Sequence, residues 1–174
     1  SLVYASPGAM NFNTPGQGIL VYSGWTGVST YNDLDDATVE QNMSSVVDDL
    51  VVMQDFSNIY YPLFNINTIV NWQPDNGYQL KMDATRYLVL YGAASADITV
   101  DLTSGWNSLP VLSNCDVEAA ALFTDVAEII FVKEMGGDKV WWPDGSLFTL
   151  DFLEPGRAYY VKASADVSIT FPAC

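Results

Sequence analysis

Residues 23–40 read SGWTGVSTYNDLDDATVE, and residues 104–118 read SGWNSLPVLSNCDVE. Both stretches pass from a Ser-Gly-Trp turn through a short apolar segment to acidic residues, and both end on a Val-Glu pair. Their tryptophans, Trp25 and Trp106, are 81 residues apart. Self-similarity at a fixed period of this size is typical of a repeated structural unit. The two stretches therefore predict two tandem copies of one unit.

The same spacing continues outside these stretches. Tyr60-Tyr61-Pro62 recurs as Trp141-Trp142-Pro143 at an offset of 81, whereas Val39-Glu40 matches Val117-Glu118 at 78. A longer turn at Gly136-Gly137 restores the larger offset. Agreement before and after a compensated slip is difficult to obtain by chance. The predicted boundaries are 1–16 for an N-terminal segment, 17–96 for repeat unit 1 and 97–174 for repeat unit 2.

Each unit is predicted to combine about six short strands with one helix. Leu50–Gln54 and Ile129–Lys133 are apolar runs of the β type. The apolar residues at helical spacing in unit 1 are Val39, Met43, Val46, Val47 and Leu50. Hairpins on both sides of one helix favour mainly antiparallel sheets. The predicted fold class is α+β, with two tandem homologous units, each of mainly antiparallel β-strands with one short helix.

The N-terminal segment contains a further apolar run. Leu2-Val3-Tyr4 is followed by Ala-Ser-Pro-Gly-Ala, much as Leu88-Val89-Leu90 is followed by Tyr-Gly-Ala-Ala-Ser-Ala. Two interpretations are open: an ordinary edge strand, or an exchanged strand that pairs with a neighbouring unit or molecule by β-strand addition. The second interpretation predicts self-assembly through Leu2, Val3 and Tyr4.

The charge of the chain limits its partners. Six Lys and Arg stand against 21 Asp and Glu, so the formal net charge is −15, and there is no histidine. Nucleic-acid binding needs cations that replace phosphate counterions, so this composition argues against it. An anionic membrane surface is disfavoured for the same reason, and no stretch approaches the roughly 20 apolar residues of a membrane span. The charge predicts an acidic, soluble surface, and no EF-hand-type loop supports calcium binding.

Catalytic arrangements are scarce in this sequence. Without histidine, Ser-His-Asp and Cys-His sites cannot form, and two distant cysteines do not make a zinc site. No glycine-rich phosphate loop is present. A pair of carboxylates at glycosidase spacing is unavoidable among 21 acids, so it carries no information. We expect no enzyme activity and no cofactor.

Cys115 and Cys174 are the two cysteines of the chain. In an exported protein they would pair and fasten the chain end to the start of the second predicted helix. Such a closure is worth roughly 4 kcal/mol on the chain-entropy model. The alternative is two separate thiols, and spacing alone does not decide between them.

Adjacent aromatic residues occur in both predicted units. Neighbours in a strand point to opposite faces, so one residue of Tyr60-Tyr61 and one of Trp141-Trp142 should lie in the core and the other should face outward. An outward aromatic ring beside polar groups suits stacking on a sugar ring. We expect Trp25 and Trp106 to be buried core anchors. The candidate ligand or interface residues are Tyr61, Trp72, Trp142 and Asp144.

Four stretches carry a family resemblance: SGWTGVSTYNDLDDATVE, NINTIVNWQPDNGYQLKM, GWNSLPVLSNCDVEAAALF and PGRAYYV. They resemble a tandem repeat of about 80 residues found in large secreted and cell-surface proteins of Bacteroidota, often close to type IX sorting signals. The resemblance covers about residues 17–172. It implies an extracellular location, on the cell surface or secreted, and it brings no catalytic residues. No sorting domain is recognisable in this chain.

The functional expectation is a non-catalytic structural or adhesive module of an exported cell-surface protein. Its partners would be further copies of itself, in an array or filament, or neighbouring domains of a larger surface protein. The alternative is a carbohydrate-binding module that holds glycans through its outward aromatics. Neither function involves nucleic acid or insertion into a membrane.

Overall fold

A computed structural model describes residues 15–174 of the chain. Its first half, residues 15–96, contains eight strands and one five-residue helix. The elements are β1 (Gly16–Val21), β2 (Gly24–Val28), β3 (Asn32–Leu34), α1 (Val39–Met43), β4 (Leu50–Gln54), β5 (Ile59–Tyr61), β6 (Ile66–Asn67), β7 (Tyr78–Met82) and β8 (Arg86–Ala94), with 3-10 helices at Val47–Asp49 and Pro62–Phe64.

The second half, residues 97–174, contains nine strands and one five-residue helix. The elements are β9 (Thr99–Leu102), β10 (Gly105–Pro110), β11 (Val117–Glu118), α2 (Ala119–Phe123), β12 (Ile129–Glu134), β13 (Val140–Trp142), β14 (Leu147–Phe148), β15 (Phe152–Leu153), β16 (Ala158–Ala163) and β17 (Val167–Thr170).

Two five-stranded antiparallel sheets dominate the fold. The first has the order β2-β7-β4-β5-β6, and the second has the order β10-β16-β12-β13-β14. Strands matched by their position along the two halves therefore occupy the same places in the two sheets. Strand β8 pairs with β1 and β3, β9 pairs with β17, and β11 pairs with β15. The unit boundaries remain a prediction, but the two sheets are built alike.

Alternation of side chains gives each half its own core. In β1 the residues Gln17, Ile19 and Val21 are buried and those between them are exposed, as expected for a sheet with one face toward the core. One buried apolar cluster runs from Ile19 to Leu90 and a separate one from Val100 to Phe171. No buried residue is shared between the two clusters.

The prediction of an α+β fold is wrong. The described chain is 47% strand and only 10% helical, with two short α-helices, so the fold is mostly β. The helix predicted from Val39 to Leu50 ends at Met43, and Leu50 instead pairs with Met82 in the first five-stranded sheet. Residues 44–49 form a turn and a 3-10 helix instead, and Val46 and Leu50 reach the same core from that turn and from β4.

The helices also correct the predicted alignment of the two halves. The Val39 N–H donates to the Val70 carbonyl (3.0 Å), and the Ala119 N–H donates to the Asp151 carbonyl (2.9 Å). Val39 and Ala119 thus hold the same position, each at the start of its helix. The offset there is 80, not the 78 that pairs Val39 with Val117. Val117 lies instead in β11, which pairs with β15.

The two halves are joined by contacts of the backbone itself. The Gly27 N–H donates to the Met135 carbonyl (3.0 Å), and the Ser29 N–H donates to the Gly156 carbonyl (3.0 Å). The Ser29 hydroxyl accepts a hydrogen bond from the Val111 N–H (3.0 Å). Backbone atoms cannot rotate away from such contacts, so the two halves pack as one body.

One further pair of contacts between the halves occupies matching positions, near Gly77 and Ala158. A Cβ on Gly27 would lie 2.8 Å from the Ala158 carbonyl oxygen. At the matching place, the Ser108 hydroxyl donates to the Gly77 carbonyl (2.6 Å) and accepts from the Gly77 N–H (3.0 Å). A pair of contacts in which each half supplies both partners is typical of a two-fold interface.

A disulfide joins Cys115 to Cys174, across 59 residues of sequence. It connects the loop before β11 with the end of the chain, next to the buried Ser113. The Ser113 hydroxyl donates to the Pro172 carbonyl (2.8 Å) and lies 3.0 Å from the Cys174 Sγ. The predicted assembly strand, Leu2, Val3 and Tyr4, lies outside the described residues.

Candidate functional site

The four candidate ligand residues fall in different environments. Trp142 is 40% exposed, Asp144 is exposed and Tyr61 is half-buried. Trp72, in contrast, is only 2% exposed and packs against Tyr78 with ring centroids 5.0 Å apart. Trp72 is therefore a core residue, and its placement among the ligand residues is wrong. The alternation expected for the aromatic pairs holds, since Tyr60 and Trp141 are buried beneath their neighbours.

The outward side of the second five-stranded sheet carries three aromatic rings, which we call the second-half aromatic row: Trp106, Phe131 and Trp142. The Phe131 centroid is 6.0 Å from that of Trp106 and 6.1 Å from that of Trp142, with interplanar angles of 80° and 74°. The outer ring centroids are thus at most about 12 Å apart. Edge-to-face contacts of this kind stabilise aromatic pairs, so each ring is supported by its neighbour.

Trp106 contradicts the prediction that it anchors the core, because it is 52% exposed. Its strand neighbour across the sheet is Lys162, whose Nζ lies 5.9 Å from the indole centroid. Trp25 is also exposed, with the Lys81 Nζ at 5.9 Å. Residues directly opposite in a sheet share a face, so a tryptophan paired with lysine faces water. The cross-strand neighbours Lys81 and Lys162 indicate that the two tryptophans are exposed. The strand register that places each lysine opposite its tryptophan is not visible in the sequence.

Trp142 is held in place by a glycine. A Cβ on Gly145 would come within 2.2 Å of the Trp142 ring, so only glycine fits beneath this indole. Phe131 contacts the ring from another side. The exposed part of Trp142 is therefore presented in a fixed orientation, which lowers the entropy lost when a ligand stacks on it.

The first half has a weaker version of the same row. Trp25 and Val52 both lie opposite Lys81 in the sheet, and Tyr61 follows on β5. Val52 thus occupies the place that Phe131 holds in the second half, so no ring joins Trp25 to Tyr61. Tyr61 packs instead on Phe64 at 4.8 Å. An uninterrupted aromatic row is present in the second half only, among the described residues.

A second surface of the second half is a groove of about 540 Å³ beside α2. Trp141 and Leu150 lie at its base, and the exposed rings of Phe148 and Phe152 lie at its sides. Its lining also includes two acidic residues, Glu118 and Asp151. We call this surface the groove. A volume of this size is in the usual range of ligand sites, and no residue of the groove was among the sequence candidates.

Several titratable groups have pKa values shifted by burial or by hydrogen bonds. Burial raises the pKa of Tyr159, although its hydroxyl accepts a hydrogen bond from the Glu154 N–H (3.0 Å). Burial likewise raises the pKa of Tyr78, which accepts from the Gln73 N–H (3.0 Å). Both tyrosines stay neutral and secure the turn before their strand. Hydrogen bonds from the Thr38 hydroxyl and N–H lower the pKa of the exposed Asp36.

Within residues 15–174, no group of three or more Asp, Glu, His or Cys side chains is placed to hold a metal ion. None of the helices in this part of the chain is long and apolar enough to cross a membrane. The surfaces described above can stack on rings, contact apolar groups and accept hydrogen bonds.

No protein-family model matches this chain, and no curated protein and no solved structure is significantly similar to it. The resemblance to a surface-protein repeat therefore has no support from these comparisons. It enters the proposal below as an expectation from the sequence.

Proposed function

We propose that this chain is a non-catalytic structural and adhesive module of an exported cell-surface protein. The second-half aromatic row carries the proposal, because three large rings are supported by one another on an outward sheet face. Exposed aromatic groups that are held rigidly are typical of binding surfaces. The disulfide between Cys115 and Cys174 supports an oxidising location outside the cell.

The contact between the two halves supports a structural role in which one chain acts as a single unit. Gly27 and Ser108, at matching positions of the two halves, both lie in this contact. An array or filament would then use another surface, such as the predicted assembly strand at Leu2, Val3 and Tyr4. We propose a module that is displayed as a unit.

Adhesion can be tested with beads coated with the full chain. We expect them to adhere to one another, and the double variant Trp106→Ala/Trp142→Ala to lower adhesion about tenfold, equivalent to 1.4 kcal/mol. Tyr91→Ala is the matched control, because it removes another exposed aromatic ring from β8. Equal adhesion of the row variant and the wild type, with both folded by thermal unfolding, would contradict an adhesive role of the row.

The second candidate is a carbohydrate-binding module, favoured by the fixed orientation of Trp142 over Gly145. The flat apolar face of a sugar ring can stack on an indole held in this way, while sugar hydroxyls bond to polar neighbours. A glycan array distinguishes the two candidates. Binding of a defined glycan that Trp142→Ala abolishes supports this candidate, and an array without any binding, beside beads that adhere to one another, excludes it.

A further inference from the structure

The groove has a counterpart in the first half that serves as an internal reference. Glu118 bridges to Phe152 as Thr38 bridges to Asn71. Trp141 pairs with Phe148 as Tyr60 pairs with Asn67. The same comparison places Asp151 where the first half has Val70, and Ala120 where it has Glu40. One backbone arrangement therefore carries two different sets of side chains.

In the first half, the side chains at the place that matches the groove bond to each other and close the space between the helix and the strand. The Asn67 Nδ2 donates to the Glu40 Oε1 (3.2 Å), which joins the helix to strand β6. The Glu40 carboxylate also lies near Tyr60, whose pKa is raised by burial and then by that charge. In the second half, Ala120 and Phe148 replace the bonded pair. A methyl group cannot reach across, so the space between helix and strand stays open as the groove.

The second-half set also exposes apolar surface. Phe148 and Phe152 are 53% and 50% exposed, whereas their counterparts are the polar Asn67 and Asn71. Exposing two phenylalanines to water is unfavourable, by about 25 cal/mol for each Å² of apolar surface. Phe148 contacts the buried Trp141 ring (centroids 5.9 Å apart), but about half of each phenylalanine remains exposed. This remaining apolar surface is available to a ligand.

Charge selects the kind of ligand. Glu118 and Asp151 replace the uncharged Thr38 and Val70, and no lysine or arginine lines the groove. The three ion pairs among residues 15–174 involve neither of these carboxylates. A cation bound in the groove would be attracted by the charges of both residues.

We infer that the groove binds an extended segment of a partner protein that presents a lysine or arginine beside an apolar side chain. The apolar side chain lies against Phe148 and Phe152, and the base lies at Glu118 and Asp151. A second copy of this chain is a poor occupant of the groove, because it has only six lysines and arginines to place beside Glu118 and Asp151. A neutral glycan leaves the two carboxylate charges uncompensated. The inference goes beyond the proposed function, since it concerns a different surface from the aromatic row.

Capped pentapeptides provide the probe for the full chain. One panel has a central Lys or Arg flanked by Leu, Val or Phe, and a second panel has Gln at the centre. Titration calorimetry should show peptides with a central base binding at least about tenfold more tightly than their Gln counterparts, a difference of 1.4 kcal/mol. Absence of binding below about 1 mM for every basic peptide, or equal binding of both panels, overturns the inference.

Two variants test the groove itself. Ala120→Glu/Phe148→Asn installs the pair that closes the first half, and we expect it to weaken binding about tenfold. Glu118→Gln/Asp151→Asn keeps the shape and removes the charge, with a similar expected loss. If the closing variant fails to fold, the charge variant Glu118→Gln/Asp151→Asn alone tests the inference. Wild-type affinity in the charge variant, or in a folded closing variant, contradicts the inference.

A third variant separates the groove from the acidity of the whole chain. Asp48→Asn/Asp138→Asn removes the same number of charges from two exposed positions outside the groove and should leave peptide affinity within about twofold. An equal loss in this control means that binding is non-specific. A neutral oligosaccharide that binds, and that Ala120→Glu/Phe148→Asn releases, would assign the groove to glycans instead. Trp106→Ala/Trp142→Ala should leave peptide binding unchanged, so failure of either proposal is distinguishable.

Discussion

Gly77 and Ala158 hold matching positions in the two halves and face each other where the halves meet. A Cβ on Gly77 would lie 2.6 Å from the Ala158 Cβ and 2.9 Å from the Ser108 Oγ. Real Cβ atoms do not approach so closely, so one of the two positions must be glycine. Gly27 faces a similar limit, with the Met135 Cβ at 2.5 Å from its missing side chain. The absence of a Cβ at Gly27 and Gly77 thus allows the two halves to pack this closely.

The substitution Gly77→Ala should destabilise the chain by about 1–3 kcal/mol, because the added methyl group overpacks this contact. The melting temperature should then fall by about 2–4 °C per kcal/mol. Adding Ala158→Gly moves the methyl group to the other side of the boundary, and the double variant should be more stable than the sum of the single changes predicts. Urea unfolding of the four proteins measures this coupling. Additive effects would mean that the two residues do not touch in solution.

Short strands and turns, rather than long helices, form most of the regular structure of this protein. Each α-helix has five residues, too few to be stable alone. Among residues 15–174, strand β17 pairs only with β9. The disulfide holds the segment after β17 to the loop before β11. A covalent link is useful there because β17 has one strand neighbour in the described part of the chain.

The substitution Cys115→Ser/Cys174→Ser should lower the free energy of unfolding by up to about 4 kcal/mol, the chain-entropy value for a closed loop of this length. The core of the second half remains intact, so the variant should still fold. Urea unfolding under oxidising conditions measures the change. The reduced wild type is the control and should match the variant. An oxidised wild type no more stable than its reduced form would show that the link does not restrain the unfolded chain.

The whole molecule combines two apolar cores with a strongly acidic surface. A net charge of −15 at neutral pH places like charges close together over both halves. Self-repulsion of this kind disfavours the compact state. The three ion pairs of the described residues offset little of it, since surface pairs contribute about 0–1 kcal/mol.

Salt should therefore stabilise this protein. Raising sodium chloride from about 0.01 M to about 1 M shortens the Debye length from about 30 Å to about 3 Å. The repulsion is then screened, and we expect the melting temperature to rise by several degrees. Asp48→Asn/Asp138→Asn should show a smaller rise, because it begins with two fewer charges. A melting temperature that does not depend on salt would mean that the surface charges do not interact.

Local patterns in the sequence were sufficient for several elements. The strand predicted at Leu50–Gln54 is observed with the same bounds. The inward and outward members of Tyr60-Tyr61 and Trp141-Trp142 follow from the two-residue period of a strand. Such features depend on neighbours along the chain, and the sequence states those directly.

The remaining features depend on residues far apart in the chain. Trp106 faces water since its cross-strand neighbour is Lys162, and no local pattern reveals that register. The predicted helix ends at Met43, because Val46 and Leu50 reach the core from a turn and from a strand. The groove exists because Ala120 and Phe148 replace a bonded pair between a helix and a strand. Which side chains meet across strands is set by the global packing, and that packing determines which surfaces are left open to bind.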